Sequence, residues 1–210
     1  MCIRDSCYSC GFPFEYAPIE KALSKDDIIC AGCAAYKPAY DRARASIAYD
    51  DYSRELILSF KHGGRTEAVD MFALQMKRAG HDILDTANVL IPVPLYPLRL
   101  IKRRYNQSAI LARALAKHTG IAANYDILYR KRATETQGGK TAEGRRRNVQ
   151  GAFGLRSNTE IQGSNVILID DVMTTGATLE ACARTLKRGG AARVDALTLP
   201  RVVKGAMVPT

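Results

Sequence analysis

The chain has 210 residues, 47% of them hydrophobic and 25% charged, with a net charge of +10. That length fits one ordinary domain, or one domain plus a small module, and that balance belongs to globular chains rather than disordered or fibrous ones. The longest apolar runs fall far short of a bilayer span, and the opening MCIRDSCYSC lacks the apolar core of a secretory signal, so a cytoplasmic protein without membrane insertion is expected.

The join of MCIRDS to CYSC is abrupt and consistent with a non-native scar over residues 1–6, and Cys2 is given no role. Residues 7–40 show no clear periodicity and hold four of the six cysteines. Ala45–Asp51 reads as a strand, followed by a short helix over SRELILSFKHGG that closes on Gly63 and Gly64. Thr66 stands where it would cap a further helix, with Val69, Phe72, Ala73 and Met76 at helical spacing and an end near Gly80. NVLIPVP, Asn88–Pro94, is an apolar strand stopped by prolines, and NQSAILARALAKHTG is an amphipathic helix ending at Gly120. YDILYR reads as a strand. Residues 130–150 form a long polar, basic segment with a turn of helix near Ala142–Arg147, and GAFGL is a short strand. A strand over Asn165–Ile169, a helix over Thr175–Arg188 stopped by Gly189 and Gly190, and a strand over Val194–Leu199 complete the chain. Strands alternating with amphipathic helices predict an α/β fold with a mostly parallel sheet and helices on both faces. Val89–Val93 and Val166–Ile169, continuously apolar, are expected to be its central strands.

Charge is distributed unevenly. Arg99–Arg156 carries 14 Lys/Arg against 3 Asp/Glu, which leaves 17 against 18 elsewhere. A basic stripe of this kind suits phosphates, whether of nucleotides or nucleic acid; a solvated basic loop is the plainer alternative. Aromatic interleaving is sparse, with Tyr105 and Tyr129 among the basic residues, and this supports a single-strand stacking platform poorly.

Cys7, Cys10, Cys30 and Cys33 form C-x2-C-x19-C-x2-C, the spacing of a zinc ribbon. Each pair lets two thiolates meet one ion from a tight turn, and four close a tetrahedral shell, so the expected Zn2+ is structural. A segment this poor in large apolar residues needs such a staple. Disulfides or a redox pair are the alternatives; a reducing compartment argues against the first, and the presence of two pairs against the second. Cys182, on the apolar face of a helix, reads as core.

The segment NVILIDDVMTTGATLE, Asn165–Glu180, runs from a buried strand into two adjacent acids, then into hydroxyls, a glycine and a helix start. A strand end followed by a helix N-terminus is the ligand position of an open α/β sheet. Met173, Thr174, Thr175, Gly176, Ala177 and Thr178 offer backbone donors, hydroxyls and a close approach suited to a phosphate monoester. Asp170 and Asp171 repel phosphate but suit the neighbouring hydroxyls of a ribose, or a divalent cation. A Walker A loop is absent, because Thr134 stands where the first glycine of TETQGGKT would be needed, and no G-x-G-x-x-G follows a strand. N-capping would require only one of the two acids.

VILIDDVMTTGAT resembles the phosphoribosyl pyrophosphate (PRPP) signature of type I phosphoribosyltransferases. IPVPLYPLRLIKRRYNQSAILARALA and RKRATETQGGKTAEGRRRNVQGAF are similar to the corresponding segments of ComF-family proteins, as is the four-cysteine module. The resemblance spans Cys7 to Leu199. It implies a zinc-ribbon module over 1–40 and a phosphoribosyltransferase-like domain over 41–210. It further implies Asp170 and Asp171 at the ribose diol with Mg2+, Met173–Thr178 at the 5-phosphate, and a pyrophosphate loop around Val93, Pro94 and Arg99. Arg104, Asn106 and Gln107 are implied at the next helix start, and Gln137, Arg145 and Asn148 in a hood over the ligand; Lys61 is a weaker candidate. Arg104-Tyr105 departs from the family's usual Gly-Phe, and Lys140 from its common leucine. The implied reaction is Mg-dependent transfer of 5-phosphoribosyl to an unknown acceptor with pyrophosphate release, in a setting of competence and DNA uptake. Two alternatives of another class stand beside it: a non-catalytic, PRPP- or nucleotide-regulated accessory protein that binds single-stranded DNA or competence-machinery partners, and an adaptor with a vestigial site.

Overall fold

Four short apolar runs, each too brief to bury itself, pair side by side in the computed structural model, which describes residues 6–14, 28–49, 53, 68–134, 141–156 and 160–203. They are β1 (Ala43–Tyr49), β2 (Val89–Pro92), β5 (Asn165–Asp170) and β6 (Arg193–Val202), in the order β1-β6-β5-β2, and every pairing is parallel. A second, antiparallel pair, β3 (Leu128–Arg130) and β4 (Phe153–Leu155), forms a separate arm. The described helices are α1 (Ala31–Ala35), α2 (Val69–Ala79), α3 (His81–Leu84), α4 (Pro97–Arg103), α5 (Gln107–Thr119), α6 (Ala142–Val149) and α7 (Ala177–Arg188).

The mostly parallel α/β fold is as expected, with one change at the centre of the sheet. β6 and β5 are the inner strands, and their residues are buried almost without interruption. β2 lies outside β5, and beyond it only a bridge from Leu90 to Ala123 continues the sheet. Its apolar run is explained by helices on both faces, which an edge position does not remove. β1 begins two residues before the expected strand, and β5 runs one residue further, so Asp170 is its last member.

Alternation along the strands sorts side chains between two cores. Leu90, Ile167, Ile169, Leu197 and Leu199 face Phe72 and Met76 of α2 and Leu111 and Leu115 of α5. Ile91, Val166, Leu168, Val194 and Ala196 face Leu179, Cys182, Ala183 and Leu186 of α7. Cys7, Cys10, Cys33 and Tyr40 belong to this second core, so the cysteine segment shares the apolar interior of the sheet. Cys182 is fully buried there, as expected of a core thiol.

The helix ends follow local chemistry. Asn106 caps α5 by accepting from the Ser108 N–H at 3.1 Å, and Gly120 closes it at φ 77°. Thr141 caps α6. The helix after the two acids starts at Ala177 rather than Thr175, because Gly176 turns left-handed at φ 77° and acts as its N-cap. α4 appears where a loop was expected, with Pro97 at its first turn and Leu98 and Ile101 exposed, so it carries no apolar stripe toward the core. The helix over SRELILSFKHGG, the Thr66 cap, Lys61 and Gln137 lie outside the described residues.

Leu168 is fully buried in the inner strand between α7 and the sheet. Leu168→Ala leaves a cavity that neighbours on both sides cannot fill, and should cost about 2–5 kcal/mol. A urea titration that shows a fall of that size in unfolding free energy is the expected result.

Candidate functional site

The two crossovers that leave β2 and β5 go to opposite faces: α5 packs into the α2 side and α7 into the other. The carboxyl ends of these neighbouring strands therefore open apart, which makes a crevice where chain can line a ligand. Asp170 ends β5 in it and is 9% exposed. Its Oδ1 accepts from the Ser108 hydroxyl at 3.0 Å and from the Asp171 N–H at 2.9 Å. Asp171 in turn accepts from the Val172 N–H at 2.8 Å. Both carboxylates are thus oriented by short local bonds, and Ser108 ties the first of them to α5.

The loop that follows is stitched at its start. Met173 N–H donates to Pro200 O at 2.9 Å, and Val202 N–H to Met173 O at 2.8 Å. The Met173 side chain is buried, so this residue offers the crevice backbone rather than a side chain. Among the described residues, the N–H groups of Thr174, Thr175 and Gly176 meet no backbone acceptor. The first turn of α7 adds N–H groups that stand outside its helical ladder, together with the positive end of its dipole. Asp170, Val172, Met173, Thr174 and the four residues from Gly176 to Leu179 line a small, open depression. It combines backbone donors with a glycine whose positive φ brings backbone close to whatever sits there, which is the chemistry of an anion site.

The turn after β2 lies beside β5 at the same end of the sheet. Val93 N–H donates to Ile169 O at 2.9 Å, which prolongs the pairing beyond Pro92. Asn106 Nδ2 donates to Val93 O at 3.0 Å while its Oδ1 caps α5, so Asn106 clamps the turn after β2 to the helix. Gln107 is buried at 2% exposure, and Arg104 is exposed at the end of α4. Pro94 is half-buried in the turn. Arg99 stands on α4 and donates to Thr134 O at 3.0 Å.

Arg130, which carried no role in the sequence reading, meets Arg99 at the same residue. Its Nη2 donates to the Thr134 hydroxyl, its guanidinium lies 5.2 Å from the Phe153 ring centroid, and it is 8% exposed. Burial, and after it the charge on Arg99, disfavour its protonated form, while Asp170 favours it. Two guanidiniums that meet at Thr134, one of them buried, make an arrangement that an anion relieves. Arg145 and Asn148 lie on α6, which packs along α7 and toward the cysteine segment, where Arg146 sits 4.7 Å from the Tyr36 ring centroid. The Asn148 and Gln150 carbonyls both accept from Arg132 at 3.0 Å, so the arm pins this helix. Neither Arg145 nor Asn148 lines the depression at the end of β5.

The sulfurs of Cys7, Cys10, Cys30 and Cys33 all lie within 4.8 Å of one another. A tetrahedral zinc with bonds of about 2.3 Å sets its sulfurs about 3.8 Å apart. Cys10 Sγ and Cys30 Sγ are 3.7 Å apart, near that spacing and far from a disulfide bond. Cys7 Sγ also accepts from the backbone N–H groups of Cys10 at 3.5 Å and Cys30 at 3.2 Å. The Cys10 side chain, with these backbone donors behind it, holds the Cys7 thiol below the ordinary thiol range against the effect of burial. The four cysteines therefore fit a closed structural zinc site.

A family described as "Phosphoribosyl transferase domain" matches residues 105–209. Competence protein F of Haemophilus influenzae is 32% identical over 179 residues, covering 82% of this chain and 78% of that protein. DNA utilization protein YhgH of Salmonella typhimurium is 30% identical over 207 residues, covering 94% and 84%. The chain belongs to the ComF family of competence proteins and carries a phosphoribosyltransferase-like domain. A solved hypoxanthine phosphoribosyl transferase of Trypanosoma cruzi aligns over 69% of this chain and 70% of its own at 20% identity and a TM-score of 0.43, a likeness too loose to argue from.

Against the ComF pattern, the departure at Arg104 falls on a position with a backbone demand. Arg104 adopts φ 64°, the one positive φ among the described non-glycine residues. The left-handed region costs a residue with a Cβ about 1–2 kcal/mol. Arg104→Gly is expected to raise the urea midpoint slightly or leave it unchanged, despite the flexibility of glycine, whereas Arg104→Val should lower it. Removal of a cysteine ligand should act more severely. Elemental analysis is expected to find one zinc per wild-type chain and none in Cys7→Ser, whose melting temperature should fall by several degrees or more.

Proposed function

We propose that the crevice at the ends of β2 and β5 binds PRPP, and that the protein transfers its 5-phosphoribosyl group to an acceptor with release of pyrophosphate. The observation that carries this reading is the continuous path from Asp170 to Thr178: oriented vicinal carboxylates, then backbone donors, then a helix N-terminus, all at the opening of two parallel strands. In this reading the backbone of residues 173–178 takes the 5-phosphate, and Asp170 and Asp171 take the ribose hydroxyls a few ångströms away. The turn at Val93–Pro94, with Arg99 and Arg130 behind it, takes the pyrophosphate. Arg145 and Asn148 on α6 belong to the cover above the ligand.

The acids and the phosphate oxygens of PRPP are hard donors that suit Mg2+, which would neutralise charge on the departing pyrophosphate. The remaining work falls to the chain. The loop after β5 and the turn after β2 fix the two ends of the ligand on strands that are hydrogen-bonded to each other, which holds the C1–O bond between them. Arg99 and the buried Arg130 stabilise negative charge that grows on the leaving group.

A second reading rests on a separate observation. Tyr125 and Tyr129 are exposed at 46% and 37% on and before the arm that carries Lys131 and Arg132. Aromatic faces beside cations suit single-stranded DNA, and the names of two relatives concern competence and DNA utilization. This reading predicts anisotropy-detected binding of a labelled single strand that weakens steeply with salt.

The PRPP reading is tested by calorimetric titration of Mg–PRPP into wild type and Asp170→Asn/Asp171→Asn. Loss of hydrogen bonds to two charged groups, each worth about 1.5–3 kcal/mol, predicts a fall in affinity of about 100-fold or more. Folded, zinc-loaded wild type that takes up no PRPP would sink the reading.

A further inference from the structure

The cysteine segment touches the loop after β5 and the helix that follows it at three points, and one of them passes through a buried cation that no carboxylate pairs with among the described residues. Arg201 ends the buried run of β6 at 8% exposure. Its Nη1 donates to Cys10 O and, at 3.0 Å, to Met173 Sδ. Its Nη2 reaches Cys10 Sγ at 3.5 Å, and the guanidinium lies 5.4 Å from the Phe12 ring centroid. Its Nε is buried without a hydrogen-bond partner. An unbalanced buried guanidinium is costly. Four thiolates around a divalent ion carry a net charge of −2, and Cys10 is one of them, so the cysteine centre is the counter-charge that justifies Arg201 in this position.

The other end of the same guanidinium holds Met173, the first residue of the proposed phosphate loop. Met173 backbone is bridged to β6 on either side of Arg201. Its Cε lies 3.0 Å from where a Cβ on Gly176 would stand, and the Tyr40 hydroxyl lies 3.3 Å from that point. Tyr40 shares the apolar core of Cys7, Cys10 and Cys33, and burial raises its phenol well above the ordinary range. One turn into α7, buried Glu180 accepts from the Ala39 N–H and from the Tyr36 hydroxyl at 3.1 Å. The underside of the loop is therefore built from the cysteine segment and from the residue that neutralises it.

We propose that Arg201 is a positioning residue for the phosphate loop, acting through Met173, and that it couples zinc occupancy to binding of the 5-phosphate of PRPP. The coupling rests on the PRPP reading above. With the thiolate centre intact, Arg201 is balanced, Met173 is held, and the backbone of 174–176 keeps its donors converged. Without the centre, the guanidinium loses its counter-charge, and the loop loses Tyr40 and Arg201 as a floor. Coupling of this kind is reciprocal: zinc tightens PRPP binding by the same factor by which PRPP tightens zinc.

The test starts with wild type alone. Zinc release to a chromogenic chelator is timed with and without saturating Mg–PRPP, and PRPP affinity is measured by calorimetry on the same preparation. The expected result is a rate of zinc release lowered about tenfold by PRPP. PRPP binding without any change in zinc release overturns the coupling and leaves the PRPP site standing, whereas no PRPP binding at all removes the site and the coupling together. Two variants then assign the residue. Arg201→Met should retain one zinc per chain, bind PRPP at least tenfold more weakly and abolish the effect of PRPP on zinc release. Arg201→Lys, which keeps the charge beside Cys10, should restore part of that effect. A folded Arg201→Met protein with undiminished coupling would contradict the role of Arg201, and an unfolded one leaves the decision with the wild-type release rates and the lysine variant.

Discussion

The hydrogen-bonded register between β2 and β5 is the constraint on which the crevice depends. Pro92 stands opposite Ile169, and the Val93 N–H still reaches the Ile169 carbonyl, so the two strands stay paired up to the residue before Asp170. Past that point the chains must part, because the helices that return them lie on opposite faces of the sheet. The acids, the loop and the turn at Pro94 all stand where pairing stops. A buried strand cannot end in two carboxylates without cost unless their oxygens are engaged. Here Ser108 and two backbone N–H groups engage them.

The cysteine segment belongs to the same construction. Its thiols share an apolar cluster with α7, β5 and β6, and its residues Ala39 and Tyr36 are tied to Glu180 of α7. A stretch with so few large apolar side chains gains rigidity from a metal staple and lends it to its neighbours. This differs from a ribbon hung on a linker: the four-cysteine cluster sits on the underside of the loop proposed to hold phosphate. The family membership, the parallel α/β fold and the four-cysteine centre agree with one another at this junction.

How much of this was legible in the sequence depends on whether the signal was contiguous. Asn165–Thr178 could be read because strand, acids, loop and helix start follow in one line, and the C-x2-C pairs because their spacing is itself the geometry. The α5 boundaries were legible for a local reason, an Asn cap and a closing glycine. α4 was not: its apolar residues Leu98 and Ile101 face outward, so periodicity gives no core-facing stripe. The edge position of β2 was hidden because helices cover both its faces regardless of how many strands flank it. Ser108, Tyr40 and Arg201 were missed as site-shaping residues because each acts on a partner more than 25 residues away, and Arg130 because its place beside Arg99 depends on how the arm folds, which no local pattern records. Arg104 was noticed as an oddity of type, and its meaning emerged only with its φ angle.

The central claim is that the path from Asp170 to Thr178 holds the 5-phosphoribosyl end of PRPP. Peptide-resolved amide hydrogen exchange, with and without saturating Mg–PRPP, tests it most directly, because the claim names backbone N–H groups as the ligands. The account predicts strong protection in peptides that cover 171–178, weaker protection around 93–96 and 106–108, and little change on the far faces of α2 and α5. Binding of PRPP that leaves 171–178 unprotected and protects another region would contradict it.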